Sequence, residues 1–144
     1  MSEHLPSELN VSRAVPLFGV HDIQQSLRFY VDGLGFAKTY EWVPDGQLRW
    51  CWLRLGTAAV MLQEFWKDGA HANVPASELG VGVSINFMCD DALAIYHDIT
   101  ARGVEAQRPF VGNEMWVVGV TDPDGYRLFF ESRTDVAEET VYQG

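Results

Sequence analysis

The two halves of this chain carry the same order of structural signals. Asp22 in the first half and Asp90 in the second each stand before a stretch with apolar residues at helical spacing. Gly35 and Gly103 each follow the helical stretch of their half as a helix terminator, and they are separated by the same interval as the two aspartates. Strand-like runs then follow in both halves. A tandem repeat of this length predicts two copies of one βαβββ unit.

The closing strand of each half supports the same repeat. The runs Leu62–Glu64 and Phe129–Glu131 are separated by nearly the same interval as the helix signals, and both end on a carboxylate. In the second half, the Asp-Pro-Asp-Gly turn at 122–125 joins two apolar runs. This turn chemistry between β-branched and aromatic residues predicts a tight hairpin.

These signals divide the chain into five segments. They are a polar leader 1–13, a first module 14–66, a linker 67–80, a second module 81–133 and an acidic C-terminal tail 134–144. In the first module we expect a strand 14–20, a helix 22–31, and strands 36–43, 48–55 and 59–65. In the second we expect a strand 81–88, a helix capped by Asp90 or Asp91, a short strand 105–108, and strands 114–121 and 127–132.

Charge and composition exclude several classes of protein. The 144 residues include 20 acidic and 10 basic side chains, and a net charge of −10 repels the phosphates of nucleic acids. The sequence shows neither a signal peptide nor a run of about 18 apolar residues that could span a membrane. Cys51 and Cys89 stand alone, without CxxC spacing or a nearby cluster of ligands, so we expect two buried, reduced thiols in a cytoplasmic protein.

Three stretches resemble the glyoxalase/bleomycin-resistance/dioxygenase (vicinal oxygen chelate) superfamily. They are VHDIQQSLRFYVDGLGF at 20–36, ALAIYHDITARGV at 92–104 and TDPDGYRLFFES at 121–132. The resemblance extends from Val15 to Ser132. It implies an α+β fold in which two tandem βαβββ modules form a curled mixed sheet around a cleft. The function stays open, because this fold occurs in lyases, dioxygenases, epimerases, thiol transferases and drug-binding proteins.

Metal-dependent members of the superfamily hold a divalent ion with four His, Glu or Gln ligands on four strands. Carried over by sequence landmarks, those positions are occupied here by Val15, Leu62 (Met61 or Gln63 if the register slips), Ser84 and Phe129. None of these is a normal metal ligand, and the four histidines stand elsewhere. We therefore expect neither a metal nor another cofactor.

Without metal ligands, the implied cleft becomes an aromatic pocket. Trp50 and Trp52 alternate to one face of their strand, and the repeat assigns Trp116 to the equivalent face. Glu64 and Glu131 are expected on the cleft side near its rim. The predicted ligand contacts are Trp50, Trp52, Leu62, Glu64, Ser84, Asn86, Trp116, Phe129 and Glu131.

A groove lined by tryptophans and rimmed by acids suits a planar, cationic aromatic ligand. This resembles the bleomycin-resistance branch, whose dimeric members sequester a cationic drug without chemistry. The sequence thus predicts a non-catalytic homodimer with a small-molecule ligand. An alternative is a metal-independent lyase or isomerase with Glu64 or Glu131 as general base. A purely structural or regulatory dimer is a third possibility.

Overall fold

The protein, represented by a computed structural model, is described from residue 10 to residue 144, so most of the predicted leader lies outside the described residues. The first module comprises β1 (Leu17–Val20), α1 (Ile23–Leu27) with a π-helical continuation (Arg28–Gly33), β2 (Ala37–Trp42), β3 (Trp50–Leu55) and β4 (Ala58–Glu64). The second comprises β5 (Ser84–Met88), α2 (Ala92–Ala101), β6 (Phe110–Gly112), β7 (Met115–Thr121) and β8 (Arg127–Arg133). No helix within 10–144 is long and apolar enough to cross a membrane.

Each module forms its own four-stranded mixed sheet. The strand orders are β1-β4-β3-β2 and β5-β8-β7-β6, which makes the two sheets topological copies of each other. In each sheet the first strand pairs in parallel with the last, and the remaining neighbours are antiparallel. The predicted α+β fold of two tandem βαβββ modules is confirmed.

Side-chain caps fix where each helix begins. Asp22 Oδ1 accepts hydrogen bonds from the backbone N–H groups of Gln24 and Gln25, at 3.1 and 3.2 Å. In the second module the cap is Asp91, whose Oδ1 accepts from the N–H of Ala94 at 3.0 Å. Each cap satisfies N–H groups that the first helical turn leaves without partners.

Two predicted boundaries in the second module are wrong. Residues 105–108 form no strand; the N–H of Gln107 bonds to the carbonyl of Gly119, and the edge strand is β6 instead. The strand predicted from 81 begins at Ser84, because Gly80 and Gly82 have φ values of +76° and +79°, outside the extended region.

One hydrophobic core joins the two modules. It is built from the sides of both sheets that carry the helices, called here the helix faces. Phe18 of β1 stacks on Tyr126 at a centroid distance of 4.3 Å, and Phe36 meets Phe87 edge-on at 5.9 Å. The other side of each sheet, called here its open face, points away from this core.

The hairpin turn 122–125 fastens the second module to the first. Tyr30 donates its O–H to Asp122 Oδ2 at 2.7 Å, while Asp122 Oδ1 accepts from the N–H groups of Asp124 and Tyr126, both at 2.9 Å. Asp124 Oδ1 accepts from the N–H of His21 at 3.0 Å. Gly125 closes the turn at φ +105°. The predicted hairpin therefore also forms the contact between modules.

Candidate functional site

The open face of the first sheet carries an aromatic surface. Directly paired residues of neighbouring strands share a face, and here Tyr40 pairs with Trp52 and Trp42 pairs with Trp50. Tyr40 is 65% exposed and Trp42 is 49% exposed, whereas Trp50 and Trp52 are half-buried. We call Tyr40, Trp42, Trp50 and Trp52 the aromatic surface.

Tyr40 and Trp42 were missed by the sequence interpretation. The alternation of β2 offered a signal for them, because both residues have the parity that faces Trp50 and Trp52 across the turn at 44–46. Leu17, 50% exposed, and half-buried Met61 extend the same face on β1 and β4.

Two arginines lie beside the aromatic surface. The guanidinium of Arg13 lies 5.4 Å from the ring centroid of Trp52, and Tyr40 meets the same ring edge-on at 6.4 Å. Arg54 lies on β3 with the same parity as Trp52 and therefore projects from the same face of that strand. A pocket of about 380 Å³ lies here, lined by Arg13, Thr39, Tyr40, Trp52, Arg54 and Thr57.

The open face of the second sheet holds a different set of side chains. Asn86 pairs with Phe129 and Met88 pairs with Glu131, so these four residues share that face. Its other members include Ser84, Phe110, Val117 and Arg127.

The Phe129 ring packs closely against Gly119, which has no side chain. A Cβ added at Gly119 would lie 2.9 Å from the Phe129 ring. The guanidinium of Arg127 lies 5.4 Å from the centroid of that ring. Among the residues described, none hydrogen-bonds the carboxylate of Glu131.

The expected cleft position of Leu62 and Glu64 is wrong. Leu62 pairs directly with Cys51, and both are fully buried in the core on the helix face. Glu64 has the same parity as Leu62, and its Oε2 accepts a hydrogen bond from the N–H of Ile23 at the start of α1, at 3.0 Å. Both side chains therefore lie on the side of the sheet away from the tryptophans.

Glu64 is the partner of a buried arginine. Arg49 Nη1 donates to Glu64 Oε1 at 3.0 Å, and the two side chains are only 8% and 12% exposed. Arg49 Nη2 donates to the carbonyl of Phe65 at 3.0 Å, and Trp66 covers the guanidinium with a ring centroid 3.7 Å away. Gln47 also donates to Glu64 Oε1, at 3.2 Å. This carboxylate joins the sheet to α1 and faces no cleft.

Trp116 also lies on the helix face, so its predicted cleft position is wrong. It pairs with Ser132, whose Oγ accepts from the N–H of Ala92 at the start of α2, at 2.8 Å. Its ring meets Tyr142 at 5.7 Å, and the Tyr142 hydroxyl lies 2.8 Å from Nε2 of His97 on α2. Trp116 therefore anchors part of the predicted C-terminal tail.

The predicted contact residues are thus distributed over three surfaces. Trp50 and Trp52 occupy the open face of the first sheet. A second group, on the open face of the second sheet, comprises Ser84, Asn86, Phe129 and Glu131. The third group, on the helix faces, comprises Leu62, Glu64 and Trp116.

Residues 10–144 contain no group of three or more His, Cys, Asp or Glu side chains arranged to hold a metal ion. Burial raises the pKa of Cys51 to about 11 and also raises the pKa of Cys89. Both thiols are therefore protonated near neutral pH and are weak nucleophiles.

Solved structures with the same fold include an antibiotic-binding protein and a bleomycin-binding protein. TnmS3, an antibiotic-binding protein from Streptomyces sp. CB03234, is 20% identical, with 87% of this chain and 98% of that chain covered and a TM-score of 0.61. A bleomycin-binding protein complexed with bleomycin is 18% identical, covers 85% and 99%, and has a TM-score of 0.65. TioX from Micromonospora sp. ML1 is 18% identical, covers 85% and 99%, and has a TM-score of 0.63.

No curated protein matches the chain significantly. A family model, in contrast, matches residues 14–130, which include both modules up to the closing strand. The chain belongs to the Glyoxalase/Bleomycin resistance protein/Dioxygenase superfamily.

Proposed function

We propose that this protein binds and sequesters a planar aromatic small molecule without chemical conversion, as a member of the antibiotic-binding type. The observation that carries the proposal is the aromatic surface, where exposed Tyr40 and Trp42 share one face with half-buried Trp50 and Trp52. Rings of this kind stack on flat ligands and bury much apolar area. The likeness in fold to proteins that bind bleomycin and other antibiotics supports this choice.

A second copy of the chain completes the binding cleft in this proposal. Large apolar side chains are exposed on both open faces: Tyr40 and Trp42 on the first sheet, Met88 (61%) and Phe110 (38%) on the second. Exposed apolar patches on separate faces mark interaction surfaces. In a symmetric dimer, the aromatic surface of one copy faces the open face of the second sheet of the other copy, and the ligand lies between them.

In this proposal, the carboxylate of Glu131 contacts the cationic group expected on the ligand. Glu64 is unsuitable, because its carboxylate is paired with Arg49 and bonded to the N–H of Ile23. Glu131 shares the second open face with Phe129 and Met88, so its carboxylate is available to a positive charge on a stacked ring. For the same reason, Glu64 is a poor general base for the alternative lyase or isomerase hypothesis.

Replacement of Trp52 by alanine is expected to weaken the binding of a planar cationic dye about tenfold. The change removes one stacking partner, worth about 0.5–1.5 kcal/mol beyond the buried area that is also lost. The measurement is isothermal titration calorimetry with 9-aminoacridine, and with bleomycin as a second ligand.

Trp116→Phe provides the matched control, because Trp116 lies on the helix face next to Tyr142. We expect it to leave the affinity within about twofold of the unmodified protein. Glu131→Gln should weaken the binding of cationic 9-aminoacridine but leave the binding of a neutral ring of the same shape unchanged. Equal affinities for Trp52→Ala and the unmodified protein would contradict the assigned surface.

The protein is expected to be a homodimer at micromolar concentration, since burial of Trp42, Met88 and Phe110 favours association. Size-exclusion chromatography with light scattering should give twice the chain mass of 16.2 kDa. Met88→Glu places a charge on the second open face and should shift the population to monomer. A monomer across the whole concentration range would refute the shared cleft.

A further inference from the structure

The pocket at Trp52 is rich in hydrogen-bond donors. Its polar side chains are the guanidinium groups of Arg13 and Arg54 and the hydroxyls of Thr39, Tyr40 and Thr57. Within residues 10–144, no carboxylate lines it, although acidic residues outnumber basic ones two to one in the chain. Positive charge concentrated in an otherwise acidic protein attracts an anion to this pocket.

The two arginines are placed so that one ring and one anionic group fit together. Arg54 Nη2 donates to the carbonyl of Gly56 at 3.2 Å, which orients the guanidinium of this exposed side chain. Arg13 lies over the Trp52 ring at 5.4 Å, on the surface that a planar ligand needs. A guanidinium binds a carboxylate through two parallel N–H···O bonds, which fixes the orientation of the carboxylate.

We propose that this pocket binds a carboxylate attached to the planar ligand. The ligand ring takes the place of the Arg13 guanidinium on Trp52, and its carboxylate is held by Arg54, with Arg13 as the second cation. The inference rests on the proposed function, because it names the chemical class of the same ligand. Together with Glu131, it specifies a zwitterionic aromatic molecule with an acidic group at the Arg54 end.

The test compares two dyes that share one ring system. Both 9-aminoacridine and 9-aminoacridine-4-carboxylic acid are planar and cationic at the ring, and only the second carries a carboxylate. Calorimetric titration of the unmodified protein should show about tenfold tighter binding of the carboxylate dye, as a charge-assisted hydrogen bond provides. Arg54→Gln should abolish this difference, so that the two dyes bind the variant with equal affinity.

Arg28→Gln is the matched control. Arg28 is exposed on the π-helical continuation of α1, away from the Trp52 pocket, and its replacement changes the net charge by the same amount as Arg54→Gln. It should preserve the tenfold preference, which separates a local contact from an effect of net charge. Equal binding of both dyes by the unmodified protein, or a preference retained in Arg54→Gln, would overturn the anionic subsite and leave the proposed function standing. Failure of both dyes to bind would reject the proposed function together with this inference.

Discussion

Replacement of Arg49 by methionine is expected to lower the free energy of unfolding by about 3–5 kcal/mol, because it leaves Glu64 buried without its counter-ion. The Arg49 side chain is 8% exposed and bonds to Glu64 Oε1 and to the carbonyl of Phe65. Methionine has a similar length but donates no hydrogen bond. Urea denaturation followed by circular dichroism gives the difference.

An exposed ion pair provides the control for this substitution. Arg133 and Glu114 are 77% and 73% exposed at a separation of 3.2 Å, so Arg133→Met should change stability by no more than about 1 kcal/mol. The double variant Arg49→Met, Glu64→Leu should recover much of the loss, since it removes the unpaired charge. A loss below about 1 kcal/mol in Arg49→Met would show that the pair does not hold α1 to the sheet.

Replacement of Asp122 by alanine is expected to cost about 3 kcal/mol, because it removes the acceptor of three hydrogen bonds at the contact between modules. The donors are the hydroxyl of Tyr30 and the N–H groups of Asp124 and Tyr126. Tyr30→Phe removes one of these bonds and should cost about 1 kcal/mol. Equal unfolding midpoints for Asp122→Ala and the unmodified protein would contradict this role.

The same carboxyl gives a defined pH dependence. Burial raises the pKa of Asp122, and its hydrogen bonds with Tyr30, Tyr126 and Asp124 oppose that shift only in part. Folding therefore favours the protonated form, so the stability from this group is fully present below its unfolded pKa. It is lost as the pH rises through the folded pKa. As the pH rises from the unfolded pKa to the folded pKa of Asp122, the free energy of unfolding of the unmodified protein should fall relative to that of Asp122→Asn. Parallel profiles of this free energy against pH would contradict the role given to Asp122.

The repeat, the caps and the hairpin turn could be predicted because each depends on local chemistry. Asp22 precedes a helical stretch and caps it, and the turn 122–125 joins two strands. The order of elements then follows from the two copies of the pattern. Local chemistry does not reveal which residue of one module corresponds to which residue of the other. Loops of different length shift this correspondence by single residues.

Small shifts between the two copies explain the misplaced side chains. The interval between the true helix caps, Asp22 and Asp91, is longer than the interval between the equivalent core positions Cys51 and Val118. Trp116 consequently corresponds to Arg49 and not to a residue with the parity of Trp50. In a strand, a shift of one residue moves a side chain to the opposite face.

The same kind of slip misplaced Leu62. The sequence interpretation matched it to Phe129, which lies on the open face of the second sheet. Its core equivalent is the next residue, Phe130, because Leu62 pairs with Cys51 as Phe130 pairs with Val118.

The pairing of Arg49 with Glu64 cannot be predicted from the sequence pattern for a related reason. The residues are distant in sequence, and their contact depends on the register of β4 and on the start of α1. Only Trp50 and Trp52 of the aromatic surface are predicted from the sequence; Tyr40 and Trp42 join them because β2 pairs with β3 in the observed register.

Fluorine NMR of protein labelled with 5-fluorotryptophan tests the central claim most directly. The chain has five tryptophans: Trp42, Trp50 and Trp52 on the open face of the first sheet, Trp66 over Arg49, and Trp116 on the helix face. On addition of 9-aminoacridine, the resonances of the first three should shift with ligand concentration while that of Trp116 stays in place. A shift of Trp116 with the open-face resonances unchanged would contradict the account.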